Sequence, residues 1–346
     1  MKRINLQDIA EKAGVSKVTV SAALKGLDGV GEEKRREICR IARELGYRPS
    51  AAARLLKEKV NKDIGLVIFE LGELIQGHSF FCDLLFRFQE ECSLRGVSGY
   101  FEWSDYRANP DRIPALLTNG LAGGFLIAGT PSPQVESYIV NHLTSPAVRI
   151  IEDGKYSIRA DLRSGIREAI QYLAALGHTR IGMINGPSAF RIYREAESAY
   201  REALAEFGIP FHDFWFSEIR ETRSAENFKE AANQALFRAE ELPTALLLPG
   251  DGSGTILYYL ASNGIVVPRD LSLITFATTS LDSESFSPAI TSIDDSAHDF
   301  VLQGLSMLET LRHSSSVADP WKTVPSRLNI RETVLHAKEY QGRKHA

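Results

Sequence analysis

Several things are scarce or missing in this 346-residue chain. It has only three cysteines, Cys39, Cys82 and Cys92. They make neither a disulfide framework nor a Cys-x-x-Cys metal pair, and they fit a reducing compartment. No apolar run reaches about 18 residues, so no bilayer-spanning helix and no membrane partner is expected. The opening residues Met1–Asp8 carry no apolar core and no small-residue cleavage site. A secretory signal is therefore not expected, and a cytoplasmic location is. The eight histidines are scattered without metal-ligand spacing. No Gly-x-Ser-x-Gly elbow and no Walker lysine loop is present. Gly250-x-Gly252-x-Gly254 follows an apolar run but lacks the dinucleotide spacing and its distal acid, so no cofactor is expected. Asp294-Asp295 and Glu240-Glu241 are adjacent pairs whose side chains point apart, and they read as solvated surface. No catalytic constellation stands behind an enzyme.

What is present is an ordinary globular composition, 44% hydrophobic and 24% charged. The apolar content excludes disorder along the whole chain, and the length fits two or three folded units. The net charge of −4 hides an asymmetry. Residues 1–60 hold 14 basic and 8 acidic residues, a balance of +6; the remainder holds 26 and 36, a balance of −10. A basic head on an acidic body points to a polyanionic partner, against the plainer reading of charges clustered on a solvated face.

The head reads as short helices. Leu6, Ile9, Ala10 and Ala13 recur at helical spacing and stop at Gly14. Ser16 caps a second helix with Val20, Ala23 and Leu24 on one face, ending at Gly26. A third runs from about Glu32 to Leu45, stopped by Gly46. The polar stretch Lys57–Asp63 reads as a linker. From Ile64 onward, short apolar runs alternate with amphipathic helices. The runs are Ile64–Phe69, Gly99–Trp103, Gly124–Ala128, Val148–Ile151, Ile181–Asn185, Thr244–Leu248 and Leu273–Phe276. The helices include Phe80–Arg95, Gly165–Leu176 and Ala196–Phe207. This alternation predicts parallel sheet covered on both faces, in two similar lobes.

Leu6-x-x-Ile9-Ala10-x-x-Ala13-Gly14-Val15-Ser16-x-x-Thr19-Val20-Ser21-x-x-Leu24 is a helix-turn-helix pattern. Its steep crossing needs a residue that tolerates a left-handed backbone, and Gly14 supplies one. The second helix then offers Ser16, Lys17 and Val18 to a major groove. Ser16, Thr19 and Ser21 are hydroxyls placed for phosphates; Lys17 suits guanine, and Val18 and Ala22 suit a thymine methyl. A three-helix domain with a glycine turn and no DNA role is the competing reading.

Asp8-Ile9-Ala10, Ala13-Gly14-Val15-Ser16, Thr19-Val20-Ser21, Leu45-Gly46-Tyr47-Arg48-Pro49 and Ala52-Ala53-Arg54-x-Leu56 resemble the N-terminal signature of the lactose-repressor (LacI/GalR) family. Ile64-Gly65-Leu66-Val67, Leu176-Gly177-His178-x-Arg180-Ile181-Gly182, Val267-Pro268-x-Asp270-Leu271-Ser272-Leu273-Ile274 and Arg331-Glu332-Thr333 resemble its later landmarks. The resemblance implies an all-α helix-turn-helix head (1–48), a hinge helix and linker (49–61), and a periplasmic-binding-protein-like α/β core of two doubly wound lobes (62–340). Lobe 1 would span about 62–161 and 294–324, lobe 2 about 162–293 and 325–340. Crossings are expected near Asp161–Ser164, Ile290–Ser296 and Lys322–Arg327. It implies a ligand-responsive repressor that binds a palindromic operator as a homodimer. Leu6, Ser16, Lys17, Val18, Thr19, Ser21, Ala22, Lys25, Tyr47, Ser50, Ala53 and Leu56 are its DNA-contacting positions, with Leu56 a minor-groove wedge. An ordinary linker helix is the plainer reading of Ser50–Lys57. Where many relatives carry arginine and asparagine, this chain has Ala22 and Lys25, so its half-site should differ.

The family's pocket positions fall on Phe80, Phe81, Asp161, Arg194, Asp251, Ala277 and Thr278. Core packing, a turn role for Asp251 and surface exposure of Arg194 are the bland alternatives. Relatives usually end the strand after Leu271–Ile274 with an acidic pair that grips sugar hydroxyls; Ala277 and Thr278 stand there. The usual pocket arginine falls near Ala196, and Leu71–His78 is rearranged. A carbohydrate effector is therefore one option among small molecules. The second functional reading is a binding protein or sugar-active enzyme with a vestigial head.

Overall fold

The protein is described by a computed structural model. It describes residues 4–24, 28–47, 61–70, 79–105, 109–220, 224–238, 241–314 and 316–340. Contacts divide the chain into two units, Met1–Asn61 and Lys62–Ala346.

In the first unit, α1 (Leu6–Ala13) begins with a capping box. Asn5 Oδ1 accepts from the Gln7 and Asp8 amides while Asp8 accepts from the Asn5 amide (2.7 Å). Gly14 ends it at φ +63°, and the Val15 amide donates to the Ala10 carbonyl (3.1 Å). α2 (Lys17–Leu24) and α3 (Glu32–Glu44) follow. Ile9, Ala10, Ala13, Val20, Ala23, Ile38, Ile41 and Ala42 form the buried core, with Leu6, Val15, Leu24, Leu45 and Tyr47 packed on it. These are the positions that helical periodicity marks in the sequence.

The second unit holds two six-stranded sheets. The first contains β1 (Ile64–Glu70), β2 (Gly99–Asp105), β3 (Phe125–Gly129), β4 (Ala147–Ile150), β5 (Ser157–Asp161) and β11 (Trp321–Pro325), in the order β11-β5-β4-β3-β1-β2, all parallel. The second contains β6 (Ile181–Asn185), β7 (Phe216–Glu218), β8 (Ala245–Pro249), β9 (Ser272–Thr278), β10 (Thr291–Asp294) and β12 (Arg327–Asn329), in the order β12-β10-β9-β8-β6-β7. Its strands are parallel except β12, which runs antiparallel to β10. β6 and β8 are buried at every position, as parallel strands covered on both faces must be.

Helices supply those covers. α4 (Ser79–Leu94) and α12 (Ala297–His313) pack on one face of the first sheet through Leu84, Phe88, Phe300 and Leu308. α5 (Ala115–Thr118) and α6 (Pro133–Asn141) cover its other face. α7 (Leu162–Ala175) and α8 (Arg191–Glu206) cover one face of the second sheet. α9 (Ala225–Leu236) and α10 (Ser253–Ser262) cover the other. The short α11 (Ser280–Glu284) follows β9. Each sheet with its helices is called a lobe below. α8 begins five residues before the expected Ala196, because Tyr193, Ala196, Tyr200 and Ala203 continue one buried stripe.

The chain passes between lobes three times: from β5 into α7, from β10 into α12, and from β11 into β12. All three passages leave the carboxyl ends of strands, so those ends of both sheets meet there. The expectation that Asp294 and Asp295 are solvated is corrected here, since both are buried. Asp294 accepts from Asn329 (2.7 Å), Ser280 (2.6 Å) and Ser292 (2.5 Å) and is paired with Arg331 (3.1 Å). Asp295 accepts from the Ser326 hydroxyl (2.5 Å), and its amide donates to the Thr278 carbonyl (2.9 Å). Burial pushes the Asp295 carboxyl up to about 6; the Ser326 bond opposes this and the Asp294 charge adds to it.

Candidate nucleic-acid interface and interlobe cleft

The left-handed turn at Gly14 aims the first turn of α2 outward. Ser16 and Lys17 are exposed, and Val18 is 78% exposed, the largest value among the exposed large hydrophobics described. Standing beside the exposed Ser16 and Lys17, this side chain is open to a partner. Ser16 Oγ accepts from the Thr19 amide (3.1 Å) and pairs with the Thr19 hydroxyl (2.8 Å), so this serine caps α2. Thr19, Ser21 and Ala22 are half-buried on the flank of the same helix. Leu6 and Tyr47 pack partly into the head core. Lys25, Ser50, Ala53 and Leu56 lie outside the described residues, as does the Ser50–Lys57 hinge as a whole.

The other predicted residues fall around the carboxyl ends of the strands. Phe80 and Phe81 open α4 and are buried in the lobe-1 core. Phe80 meets Phe81 and Phe300 edge to face, each at 5.7 Å between centroids. Asp161 caps α7, accepting from the Ser164 amide (3.2 Å) and hydroxyl (2.7 Å). Asp251 sits in a 3₁₀ turn, Gly250–Gly252, just past β8. The structure brings this turn against Thr278, since a Cβ on Gly250 would lie 2.2 Å from Thr278 Cβ. The glycine pattern after β8 thus serves close packing; a Cβ on Gly252 would likewise strike Phe228. Arg194 is exposed and donates to the Ser188 (2.7 Å) and Ala189 (2.9 Å) carbonyls, tying down the loop after β6.

Sequence reasoning does not pick out the residues that join the two sides. Arg191, at the start of α8, is 7% exposed and donates Nη2 to the Ile151 carbonyl (2.6 Å) just past β4. Its Nε lies 3.6 Å from Asp153, and its Nη1 pairs with Glu195 one helical turn on. Burial raises the Glu152 carboxyl above its ordinary value, against the pull of Arg191, Arg194 and Arg149. At the carboxyl end of β6, Asn185 is 1% exposed; its Nδ2 donates to the Tyr193 carbonyl (2.8 Å) and its Oδ1 has no hydrogen-bond partner. The Arg191-x-x-Arg194 spacing at a helix start is the signal that could have found them. Among the described residues, two that are not glycine hold left-handed backbone, Ile151 (φ +75°) and Ala277 (φ +52°). One ends a strand run in each lobe, and such strain concentrates at functional positions. Among the described residues no group of side chains suits a metal ion, and no helix is long and apolar enough to cross a membrane.

A three-helix head that projects one helix, joined to a two-lobed doubly wound core, defines a regulator that couples a nucleic-acid module to a ligand-binding fold. Sequence models of two families match the chain: "Bacterial regulatory proteins, lacI family" over residues 5–50 and "Periplasmic binding protein-like domain" over residues 170–334. Catabolite control protein A of Staphylococcus epidermidis is 24% identical over 343 residues, covering 95% of this chain and 99% of that protein. Its namesake from Priestia megaterium is 24% identical over 339 residues, with the same coverage. Among solved structures, the Lac repressor bound to ONPG in the repressed state superposes with a TM-score of 0.79 at 22% identity, over 96% of this chain and 100% of that one. The complex of the transcriptional regulator CelR with cellobiose gives 0.68 at 21% identity, with the same coverage. Residues 5–50 carry the lacI-type domain of bacterial regulatory proteins, and the chain is a DNA-binding transcriptional regulator.

Proposed function

We propose that this regulator is a ligand-responsive repressor that grips a palindromic operator as a homodimer, in the cytoplasm and without catalytic activity of its own. The observation that carries the reading is the outward first turn of α2, with Lys17 and Val18 projecting from a packed three-helix core. One short head covers too few base pairs for specificity, so two heads on half-sites about one turn or more apart are required. Lys17 is assigned to a guanine, Val18 and Ala22 to thymine methyls, and Ser16, Thr19, Ser21, Leu6, Tyr47, Lys25, Ser50 and Ala53 to the backbone or groove floor. Leu56 is assigned the minor-groove wedge. The division into a head (1–48), a hinge (49–61) and a two-lobed core (62–340) belongs to the same proposal.

In the core, the proposed effector is a small molecule between the lobes, near Phe80, Phe81, Asp161, Arg194, Asp251 and Thr278. The unpartnered Asn185 Oδ1 and the strained ends at Ile151 and Ala277 support a site at this end of the sheets. A ligand that prefers one lobe arrangement biases the paired hinges. ONPG and cellobiose occupy the Lac repressor and CelR complexes named above. Ala277 and Thr278, in place of an acidic pair, favour a ligand poorer in hydroxyl groups. Selection of bound duplexes from a random pool at fixed salt tests the DNA reading. An enriched inverted repeat is expected, and no enrichment above nonspecific binding overturns it. A thermal-shift screen across sugars and purines tests the ligand, since binding to the folded state raises the melting temperature.

A further inference from the structure

We propose that Arg191 and the turn Ile151–Asp153 form a clasp between the lobes, one that holds them in the arrangement seen in this structure. The turn belongs to lobe 1, between β4 and β5, and Arg191 opens a lobe-2 helix. Neither lies on one of the three chain passages, so the contact is an additional tie across the cleft.

The turn is fixed to its own lobe, which lets the contact transmit force. The Ile151 amide donates to the Ile158 carbonyl (2.8 Å), and the Arg149 amide donates to the Tyr156 carbonyl (2.9 Å). Asp153 pairs with Arg159 (2.7 Å), whose guanidinium lies 4.5 Å from the centroid of the Trp321 ring. The indole of Trp321 in turn donates to the Gly154 carbonyl (3.3 Å). Trp321 is on β11, so the turn is braced from the edge of the lobe-1 sheet. Ile151 takes a left-handed backbone that a β-branched residue resists, and such a conformation persists only where its surroundings overdetermine it.

Arg191 is equally fixed on its side. Glu195 holds its Nη1 one turn along the helix, and the side chain is 8% exposed. A surface ion pair would be worth little, because water competes for both partners. Here the guanidinium is screened from water and bonds a carbonyl as well as facing a carboxylate. The next residue, Ile192, packs against the core clusters of both lobes. Arg191 and Arg194 of lobe 2 both act electrostatically on Glu152 of lobe 1. Polar, apolar and charge contacts thus coincide at one point of the lobe boundary. The clasp concerns lobe geometry alone and stands apart from the identity of the ligand or operator.

Pulsed electron-spin distance measurements on the full-length protein test it. Labels go on Gln134→Cys in α6 of lobe 1 and Lys229→Cys in α9 of lobe 2, both exposed positions. Cys39 and Cys82 are replaced by serine, and labelled chains are diluted with unlabelled ones so that distances within one chain dominate. The parent should give one narrow distribution. Arg191→Met should move it to longer distances and broaden it, and Asp153→Asn should do so to a smaller extent. Asp153 has a side chain 59% exposed, so its variant folds even where Arg191→Met does not. Arg191→Lys, which cannot bridge Ile151 and Glu195 together, should fall between parent and Met. A parent-like distribution in the folded Arg191 variants overturns the clasp. If Arg191→Met does not fold, a parent-like distribution in both Arg191→Lys and Asp153→Asn does the same.

Discussion

The head and the core place their working residues in opposite ways. In the head, every described position proposed for DNA contact lies within residues 6–47, and the cap Ser16 is followed directly by Lys17 and Val18 on the first turn of α2. In the core, the residues around the cleft come from Phe80, Ile151–Asp153, Asp161, Asn185–Arg194, Asp251, Thr278 and Asp294–Asp295. They are brought together because parallel strands all end on the same side of their sheet. A surface built from neighbours in sequence needs only a correct turn. A surface built from distant segments needs the whole lobe to fold first, and it inherits the rigidity of that lobe.

This contrast is sharpest in glycine replacements. Gly129 ends β3 at φ +77°, and a Cβ there would lie 1.8 Å from the Phe69 carbonyl oxygen. Gly129→Ala is expected to destabilise the core by about 3 kcal/mol or more, combining left-handed strain with a clash against backbone. Gly14 has φ +63°, and a Cβ there would meet nothing within 4 Å, so Gly14→Ala should weaken the head by only about 1 kcal/mol. Calorimetric scans with separate head and core transitions measure both, and equal losses would remove the distinction. Arg331→Met comes next. It leaves Asp294 buried without its cation and should cost about 3 kcal/mol, read as a lower urea midpoint of the core transition.

A pH series comes third. Burial raises Asp295 to about 6 in the folded protein, above its unfolded value of about 4. Its contribution to stability is therefore full below about pH 4 and is lost as pH rises through about 6. Asp295→Asn stays neutral throughout and keeps an acceptor for Ser326. The variant should gain on the parent by about 2 kcal/mol between pH 4 and pH 7, measured by urea unfolding. A constant difference over that range would show that Asp295 ionises normally. The last effect belongs to DNA recognition by the head. Lys17→Ala should lower discrimination at one base pair by about 1–3 kcal/mol while leaving the core transition alone. A uniform loss across all sequences would make Lys17 a phosphate contact instead.

The head is legible in the sequence because a helix-turn-helix is a local pattern. Ile9, Ala10, Val20 and Ile38 are buried where helical periodicity puts them, and Gly14 takes the left-handed turn its position requires. The central strands are legible for a related reason: covered on both faces, they read as continuous apolar runs. Five other strands are not. β5 (Ser157–Asp161), β7 (Phe216–Glu218), β10 (Thr291–Asp294), β11 and β12 mix polar and apolar residues over short lengths. Their strand character comes from ladder bonds made in the folded sheet and not from their own composition. Asp294 and Asp295 read as solvated in the sequence because the partners that bury them, Arg331, Asn329 and Ser326, come more than 30 residues later. Arg191 is overlooked when α8 is taken to begin at Ala196, which leaves the arginine in a loop.

The three chain passages carry a mechanical consequence. A single tether would let one lobe swivel freely on the other. Three side-by-side ribbons, with the buried Asp295–Ser326 bond stitching two of them together, resist torsion and sliding while leaving bending soft. Lobe 2 is thereby restricted to swinging like a door on its jamb. The swing that remains is the one that the small molecule proposed between the lobes would push shut or wedge ajar.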